Sequence, residues 1–140
     1  MTPHSTLQII AQSDFYLEPD AFFVVQASYV RTSELHRLVC RDEKETTVIT
    51  TEAGLSDLDI IAINQEQWRL LVINCANPFY CVGFLTAIST AMTDADIDIL
   101  LTSTFSRDLV FVPAQDCDRA VALLRQLGFV AQNRKLSAAC

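Results

Sequence analysis

The chain has 140 residues, 51% of them hydrophobic, and a formal net charge of −7 from 17 acidic and 10 basic residues. This length and apolar fraction suit a globular protein with a core of its own and exclude a disordered chain. The acidic balance, without any cluster of Lys and Arg, argues against nucleic acid and anionic membranes as partners.

No apolar run approaches the roughly 20 residues of a membrane-spanning helix. The first residues also lack the basic and then apolar pattern of a secretory signal, so we predict a cytoplasmic location. The five cysteines include no C-x-x-C pair, and the two histidines, His4 and His36, are far from them in sequence. Because a zinc site needs about four ligands at compatible spacing, we predict no metal and no cofactor.

Residues 1–65 are rich in predicted strands. Four runs have strand length and β-forming residues, namely residues 22–26, 37–41, 46–50 and 58–63. The second and third runs are joined by a charged turn, residues 42–45. No long helix is predicted here, and only a short one over residues 28–35. Residues 64–67 form a tight junction, so we place the domain boundary between residues 65 and 66.

Residues 66–140 show alternating strand and helix patterns. The predicted order is a strand (69–74), a loop (75–82), a helix from Gly83, two strands (97–102 and 109–112), a helix from Pro113 or Asp116, and a last strand (129–134). The first helix presents one apolar face, formed by Phe84, Leu85, Ile88, Met92 and Ala95. The second has an apolar stripe of Ala120, Val121, Leu123, Leu124 and Leu127, and Gly128 is its predicted C-terminal cap.

This β-α-β-β-α-β order predicts an α+β, ferredoxin-like fold, in which two helices cover one face of an antiparallel sheet. The polar block at residues 103–108 then lies between the two middle strands. Its simplest interpretation is a hairpin turn. Alternatively, the amides at residues 81–83 hold an anion at the helix N-terminus while Asp108 holds an ammonium or guanidinium group. Spacing does not determine whether these two segments meet within one subunit.

Residues 68–128 resemble an ACT domain, the small-molecule sensing module of regulated amino acid enzymes. The resemblance is carried by Trp68 and by the segments NPFYCVGFLTAIST, STFSRDLVFV and AVALLRQLGF. Its most specific motif is Ser-Thr-aromatic-x-x-Asp before an apolar strand, here residues 103–110. The segment LVCRDEKETTVITTE is faintly similar to the first unit of paired ACT domains. The resemblance therefore implies an ACT unit in residues 66–140 and a smaller, degenerate ACT-like unit in residues 1–65.

The resemblance also implies a set of ligand-binding residues. They are Cys81, Val82 and Gly83 from the loop, Thr104, Phe105 and Asp108 from the polar block, and, as weaker candidates, Thr47 and Val48. Two features depart from the family pattern. The usual Asp-x-x-Gly turn before the helix is replaced by residues 77–80. Arg107 stands where a small or uncharged residue is more usual, and pairing with Asp108 would occlude the cation site.

The function implied is that of a non-catalytic regulatory or sensor protein that binds a small molecule, expected to be an amino acid, and forms a homodimer. The alternative is a protein-interaction module that binds no small molecule and regulates a partner enzyme. Catalysis is disfavoured because it needs a nucleophile beside a positioned base, and Cys81 has no companion base in the pattern.

Overall fold

The computed structural model describes residues 2–132, which form two compact units. In the described part, unit 1 consists of residues 2–19 and 69–132, and unit 2 consists of residues 20–68. The second boundary lies close to the one predicted between residues 65 and 66. The first 19 residues differ from the prediction and belong to unit 1, because Ile10 and Phe15 are part of its hydrophobic core.

The chain contains three α-helices and eight strands within the described residues. Their order is α1 (His4–Gln12), β1 (Asp14–Val30), β2 (Leu38–Arg41), β3 (Thr46–Thr50), β4 (Leu58–Ile63), β5 (Trp68–Asn74), α2 (Phe84–Asp94), β6 (Leu100–Ser103), β7 (Asp108–Pro113), α3 (Cys117–Leu127) and β8 (Val130–Ala131). None of the helices in residues 2–132 is long and apolar enough to cross a membrane.

The C-terminal part of the chain has the predicted ferredoxin-like ACT order, β5-α2-β6-β7-α3-β8. Strands β1, β5, β7 and β6 are successive neighbours in the sheet, and β6 and β7 form an antiparallel hairpin. The sheet is not wholly antiparallel as predicted, because β8 pairs with the start of β1 in parallel. Of the last predicted strand, residues 129–134, the structure has Val130–Ala131 as β8, and residues 133 and 134 lie outside the described residues.

The core of unit 1 explains why helices α2 and α3 were predictable from the sequence. All three helices contribute buried residues to the same cluster as alternate strand residues such as Leu71 and Val110, so the helices cover one face of the sheet. The helical members of this cluster are Ile10, Phe84, Ala87, Ile88, Met92, Cys117, Ala120 and Leu124. As predicted, Gly128 caps α3 with a left-handed backbone, φ +114°.

In unit 2, β3 pairs antiparallel with both β2 and β1, and β4 pairs antiparallel with β1. Three of the four predicted strands therefore match β2, β3 and β4, and the fourth lies inside β1. The short helix predicted over residues 28–35 is wrong. Its first residues extend β1, and only Ser33–Leu35 form a single 3-10 turn.

Two N-terminal elements were missed. Helix α1 buries only Thr6 and Ile10, so its apolar periodicity is too sparse to predict a helix. Strand β1 has 17 residues but contains Glu18, Pro19 and Asp20, which are typical of a loop. Proline lacks an N–H group for a sheet hydrogen bond, and its presence conceals the continuity of the strand.

Candidate ligand-binding site

A cleft in unit 1 brings the polar block and the loop before α2 together in one subunit. Its volume is about 230 Å³, below the roughly 300–1,000 Å³ typical of pockets for drug-sized ligands. The lining residues come from the loop, from the first turn of α2 and from the β6–β7 hairpin: Cys75, Asn77, Pro78, Phe79, Cys81, Phe84, Leu85, Ser103, Thr104, Phe105, Ser106, Arg107 and Asp108. The cleft is of a size for a metabolite such as an amino acid.

The hairpin fixes the orientation of the Asp108 carboxylate. The backbone N–H of Thr104 donates to the carbonyl oxygen of Arg107 at 2.9 Å and closes the turn. Ser103 and Asp108 are directly paired across the two strands, and the Ser103 hydroxyl donates to Asp108 Oδ1 at 2.5 Å. Within the described residues, no hydrogen bond reaches the other oxygen, Oδ2. The carboxylate is therefore oriented and retains an acceptor for a ligand.

Arg107 does not occlude this carboxylate. Its Nη1 donates to the hydroxyl of Tyr16 at 3.2 Å, and its guanidinium carbon lies 6.0 Å from the centre of that ring. Both contacts direct the side chain towards β1, and among the described residues no ion pair joins Arg107 to Asp108. The pairing considered from the sequence is thus absent.

The three predicted loop residues are placed differently from one another. Cys81 lines the cleft. Val82 is 87% exposed and outside the lining, and its carbonyl oxygen accepts a hydrogen bond from Thr6 Oγ1 at 2.6 Å. Gly83 is also outside the lining. It caps α2 with φ +85°, and a Cβ there would lie 3.4 Å from Cδ of Pro3. The backbone turn and the neighbouring N-terminal segment therefore account for this glycine.

The weaker candidates, Thr47 and Val48, lie in β3 of unit 2 and do not line the cleft. Val48 is fully buried in the core of unit 2 with Val25, Ala27 and Leu58. Thr47 is paired with Gln26 and Cys40 in the sheet. Their sequence context resembles that of ligand-contacting residues, but their positions are explained by packing and strand pairing.

The sequence interpretation missed Cys75, Phe79 and Ser103 as lining residues. Burial, the largest effect, raises the pKa of the Cys75 thiol, and the neighbouring Cys81 and Asp108 raise it further. A thiol that stays protonated is a poor nucleophile. The sequence signal that could have indicated Phe79 was the preceding Asn77-Pro78 pair. Such a pair marks a turn, and a turn directs the next side chain away from the strand.

A second polar cluster lies in unit 2. The His36 side chain is 0% exposed, with Nδ1 2.8 Å from Thr50 Oγ1 and Nε2 2.9 Å from Asp57 Oδ2. Asp57 Oδ2 also accepts the backbone N–H of Thr32 at 2.7 Å. Burial, the largest single effect, raises the pKa of Asp57, but the hydrogen bonds from Thr32 and His36 together lower it below its ordinary value. Because the imidazole is enclosed, this cluster stabilises the fold.

The comparison with known families agrees with the fold. Residues 64–126 match the family model of the ACT domain. This segment is an ACT domain. The match includes β5, α2, the β6–β7 hairpin and most of α3, and therefore the whole lining of the cleft. ACT domains are regulatory, ligand-binding modules, which fits a cleft lined by one oriented carboxylate.

Solved structures share the fold over most of the chain, whereas no curated protein matches it. A Vibrio cholerae protein of unknown function, described as a possible transport protein, is 14% identical with a TM-score of 0.72, over 89% of this chain and 96% of its own. An Agrobacterium tumefaciens protein is 15% identical with a TM-score of 0.70, over 86% of this chain and 92% of its own. The ligand-free regulatory subunit of Thermus thermophilus aspartate kinase is 9% identical with a TM-score of 0.55, over 81% of this chain and 95% of its own.

Proposed function

We propose that this protein is a non-catalytic regulatory protein of the ACT type that binds an amino acid in the cleft of unit 1. The observation that carries the proposal is the oriented carboxylate of Asp108, which faces the cleft with one oxygen unoccupied among the described residues. A carboxylate in this position is suited to hold the ammonium group of an amino acid by a charge-assisted hydrogen bond.

The opposite wall of the cleft suits the carboxylate of the same ligand. Helix α2 begins there, and no side chain caps its N-terminus and no acidic residue lies in its first turn. The first N–H groups of a helix lack intrahelical partners and carry the positive end of the helix dipole. Leu85, in this first turn, lines the cleft. The N–H of Phe84 already donates to the carbonyl of Cys81 at 3.2 Å, so the donors for a ligand are the N–H groups that follow it in this turn. A zwitterion would thus meet a negative group on one wall and these amide donors on the other.

A non-catalytic role is supported by the chemistry of the two residue types that could act as nucleophile or base. The Cys75 thiol in the cleft has a raised pKa, which favours its unreactive protonated form. The imidazole of His36 belongs to unit 2 and is enclosed by its own hydrogen bonds. Neither side chain offers the nucleophile and base pair that covalent catalysis requires.

We further propose that unit 2 is a second, degenerate ACT-like unit and that the protein is a homodimer. The solved structures named above support the first part, since they cover between 81% and 89% of the chain and so extend beyond residues 64–126. The homodimer is supported by strand β4, which is exposed and apolar and pairs on one side only, with β1, within the described residues. An exposed apolar edge strand favours pairing with another chain.

The proposal is tested by thermal denaturation in the presence of each of the twenty amino acids. A ligand at a concentration 100 times its Kd stabilises the folded state by about 2.7 kcal/mol, which raises the melting temperature measurably. For the amino acid that does so, Asp108→Ala should weaken binding by about tenfold or more, because a hydrogen bond to a charged group contributes about 1.5–3 kcal/mol.

Asp98→Ala is the matched control for this substitution. It removes the same charge from an exposed position outside the cleft and should leave the affinity unchanged. If the two variants bind the ligand equally well, Asp108 does not contact it. If no amino acid raises the melting temperature of the unmodified protein, the proposal fails.

A second candidate function is a protein-interaction module that binds no small molecule. It is favoured by the isoleucines of β4, since Ile60, Ile61 and Ile63 are all exposed. A pull-down of a partner that is lost in Ile61→Lys, together with no amino acid response, would support this candidate over the first.

A further inference from the structure

Two phenylalanines from opposite walls of the cleft meet at its mouth. The rings of Phe79, from the loop, and Phe105, from the hairpin, lie edge to face with their centres 5.2 Å apart. Phe79 is nevertheless 71% exposed and Phe105 86% exposed. The two rings contact each other but leave most of their apolar surface in water, and a ligand side chain packed against the pair would cover part of it.

The backbone holds Phe79 in this place at a conformational cost. Phe79 has φ +70°, in the left-handed region that bulky residues rarely adopt. Its neighbour Tyr80 is 82% exposed, and its ring is 6.4 Å from that of Phe79, but it does not line the cleft. Of these two adjacent aromatic side chains, only Phe79 is directed to the mouth of the cleft.

The charges of the cleft limit the kind of side chain that fits. Asp108 and Arg107 are the charged lining residues, one of each sign, so the lining carries no net charge. The ammonium group of the ligand already uses Asp108, and the guanidinium of Arg107 is already engaged with Tyr16. A second ammonium or guanidinium on the ligand would find no further carboxylate in the lining, and a second carboxylate would have to displace Arg107 from Tyr16. Leaving a charge unpaired as it is desolvated is unfavourable.

We infer that the contacting rings of Phe79 and Phe105 form one apolar surface, called here the aromatic clamp, that covers the ligand's side chain from one side and makes the cleft selective for amino acids with an uncharged, apolar side chain. The clamp covers the side chain while Asp108 and the first turn of α2 hold the two charged groups. This inference rests on the proposed function, since it names the class of amino acid that the same cleft binds and adds Phe79 as a specificity-determining residue.

The test measures affinity by calorimetry for three apolar amino acids, L-leucine, L-methionine and L-phenylalanine, and for three charged ones, L-arginine, L-lysine and L-glutamate. We expect the best apolar amino acid to bind at least tenfold more tightly than any charged one. Phe79→Ala should weaken that binding by about tenfold, because burying one apolar side chain against two rings depends on both of them.

Tyr80→Ala is the matched control, since it removes a neighbouring exposed ring that does not line the cleft, and it should change the affinity less than twofold. Phe79→Leu keeps an apolar side chain and should recover part of the affinity. Thermal denaturation without ligand should show both position-79 variants folded, because the Phe79 side chain is mostly exposed.

The outcomes separate the inference from the proposed function. Preferred binding of a charged amino acid would overturn the inference while the proposed function stands. Equal affinities of Phe79→Ala and Tyr80→Ala for an apolar amino acid would also overturn it, because the clamp would then make no contribution. If none of the amino acids binds the unmodified protein, the proposed function itself fails and the inference fails with it.

Discussion

The imidazole of His36 joins three separate segments of unit 2. It contacts Thr50 at the end of β3 and Asp57 at the end of a 3-10 helix, and Asp57 in turn accepts the N–H of Thr32 after β1. Gly54 completes the arrangement, because a Cβ at this residue would lie only 2.0 Å from Thr50 Oγ1. The close approach of the 3-10 helix to β3 therefore requires a residue without a side chain.

The Asp57 carboxylate makes the stability of the fold dependent on pH. Its pKa is lowered in the folded state, so its stabilising contribution is present above the unfolded value of about 3.9 and is lost as the pH falls towards the folded value. We expect the free energy of unfolding of the unmodified protein to fall between about pH 5 and pH 3. Asp57→Asn removes the titrating group, so its free energy of unfolding should decrease less over this pH interval than that of the unmodified protein.

Urea denaturation at a series of pH values measures this difference. Asp98→Asn is the control. Because Asp98 is exposed, this substitution should leave the dependence of stability on pH unchanged. Identical pH profiles for the unmodified protein and Asp57→Asn would show that Asp57 is not the group responsible.

At the scale of elements, the end of α3 depends on one glycine. Gly128 has φ +114°, and its N–H donates to the carbonyl of Arg125 at 3.0 Å. A Cβ at this position would meet Ile10 Cγ2 at 3.7 Å, an ordinary contact, so space is available. The cost of Gly128→Ala is therefore conformational, about 1–2 kcal/mol for a left-handed residue with a Cβ.

Chemical denaturation should show this loss as a lower midpoint with an unchanged slope. Gln126→Ala, at an exposed position on the same helix, should keep the midpoint close to that of the unmodified protein. A stability of Gly128→Ala equal to that of Gln126→Ala would contradict a left-handed cap at the end of α3.

The elements that sequence patterns identified are those that bury one regular face. Helices α2 and α3 were predicted because their apolar residues repeat at three and four positions and face one core. Helix α1 was missed because it buries two residues only. The full length of β1 was missed because Pro19 interrupts its apolar pattern, although a proline is compatible with extended backbone.

The cleft was partly accessible from the sequence. The Ser-Thr-Phe-x-x-Asp motif and the loop before α2 led to Cys81, Thr104, Phe105 and Asp108, and all four line the cleft. Phe79 could not be predicted, because its role depends on a ring contact with a residue in a distant hairpin. Val82 and Gly83 do not line the cleft: the carbonyl of Val82 accepts a hydrogen bond from Thr6 of α1, and Gly83 lies against Pro3.

At the scale of the whole molecule, β4 is the feature that bears on assembly. It pairs with β1, and its other edge has no strand partner in residues 2–132. Five of its six residues are exposed, and three of these are isoleucines. Such an edge presents unpaired backbone groups together with apolar side chains, a combination that favours pairing with a second copy.

We therefore expect light scattering at micromolar concentration to give the mass of a dimer for the unmodified protein. Ile61→Lys should shift the mass to that of a monomer, because a lysine on an edge strand opposes pairing. Leu7→Lys makes the same change at an exposed apolar position of α1 and should remain dimeric. A monomer mass for the unmodified protein would contradict this assembly.

The pairing of β8 with the start of β1 has a consequence for the order in which the chain folds during its synthesis. Asp14 is aligned with Val130 and Phe15 with Ala131, so nearly the entire described chain separates the partners of this pair. Unit 2 is continuous in sequence, whereas unit 1 is made of residues 2–19 and 69–132. During synthesis, all residues of unit 2 therefore leave the ribosome before unit 1 is complete. The apolar side chains of Ile10 and Phe15 remain exposed until α3 and β8 have been synthesised and can cover them.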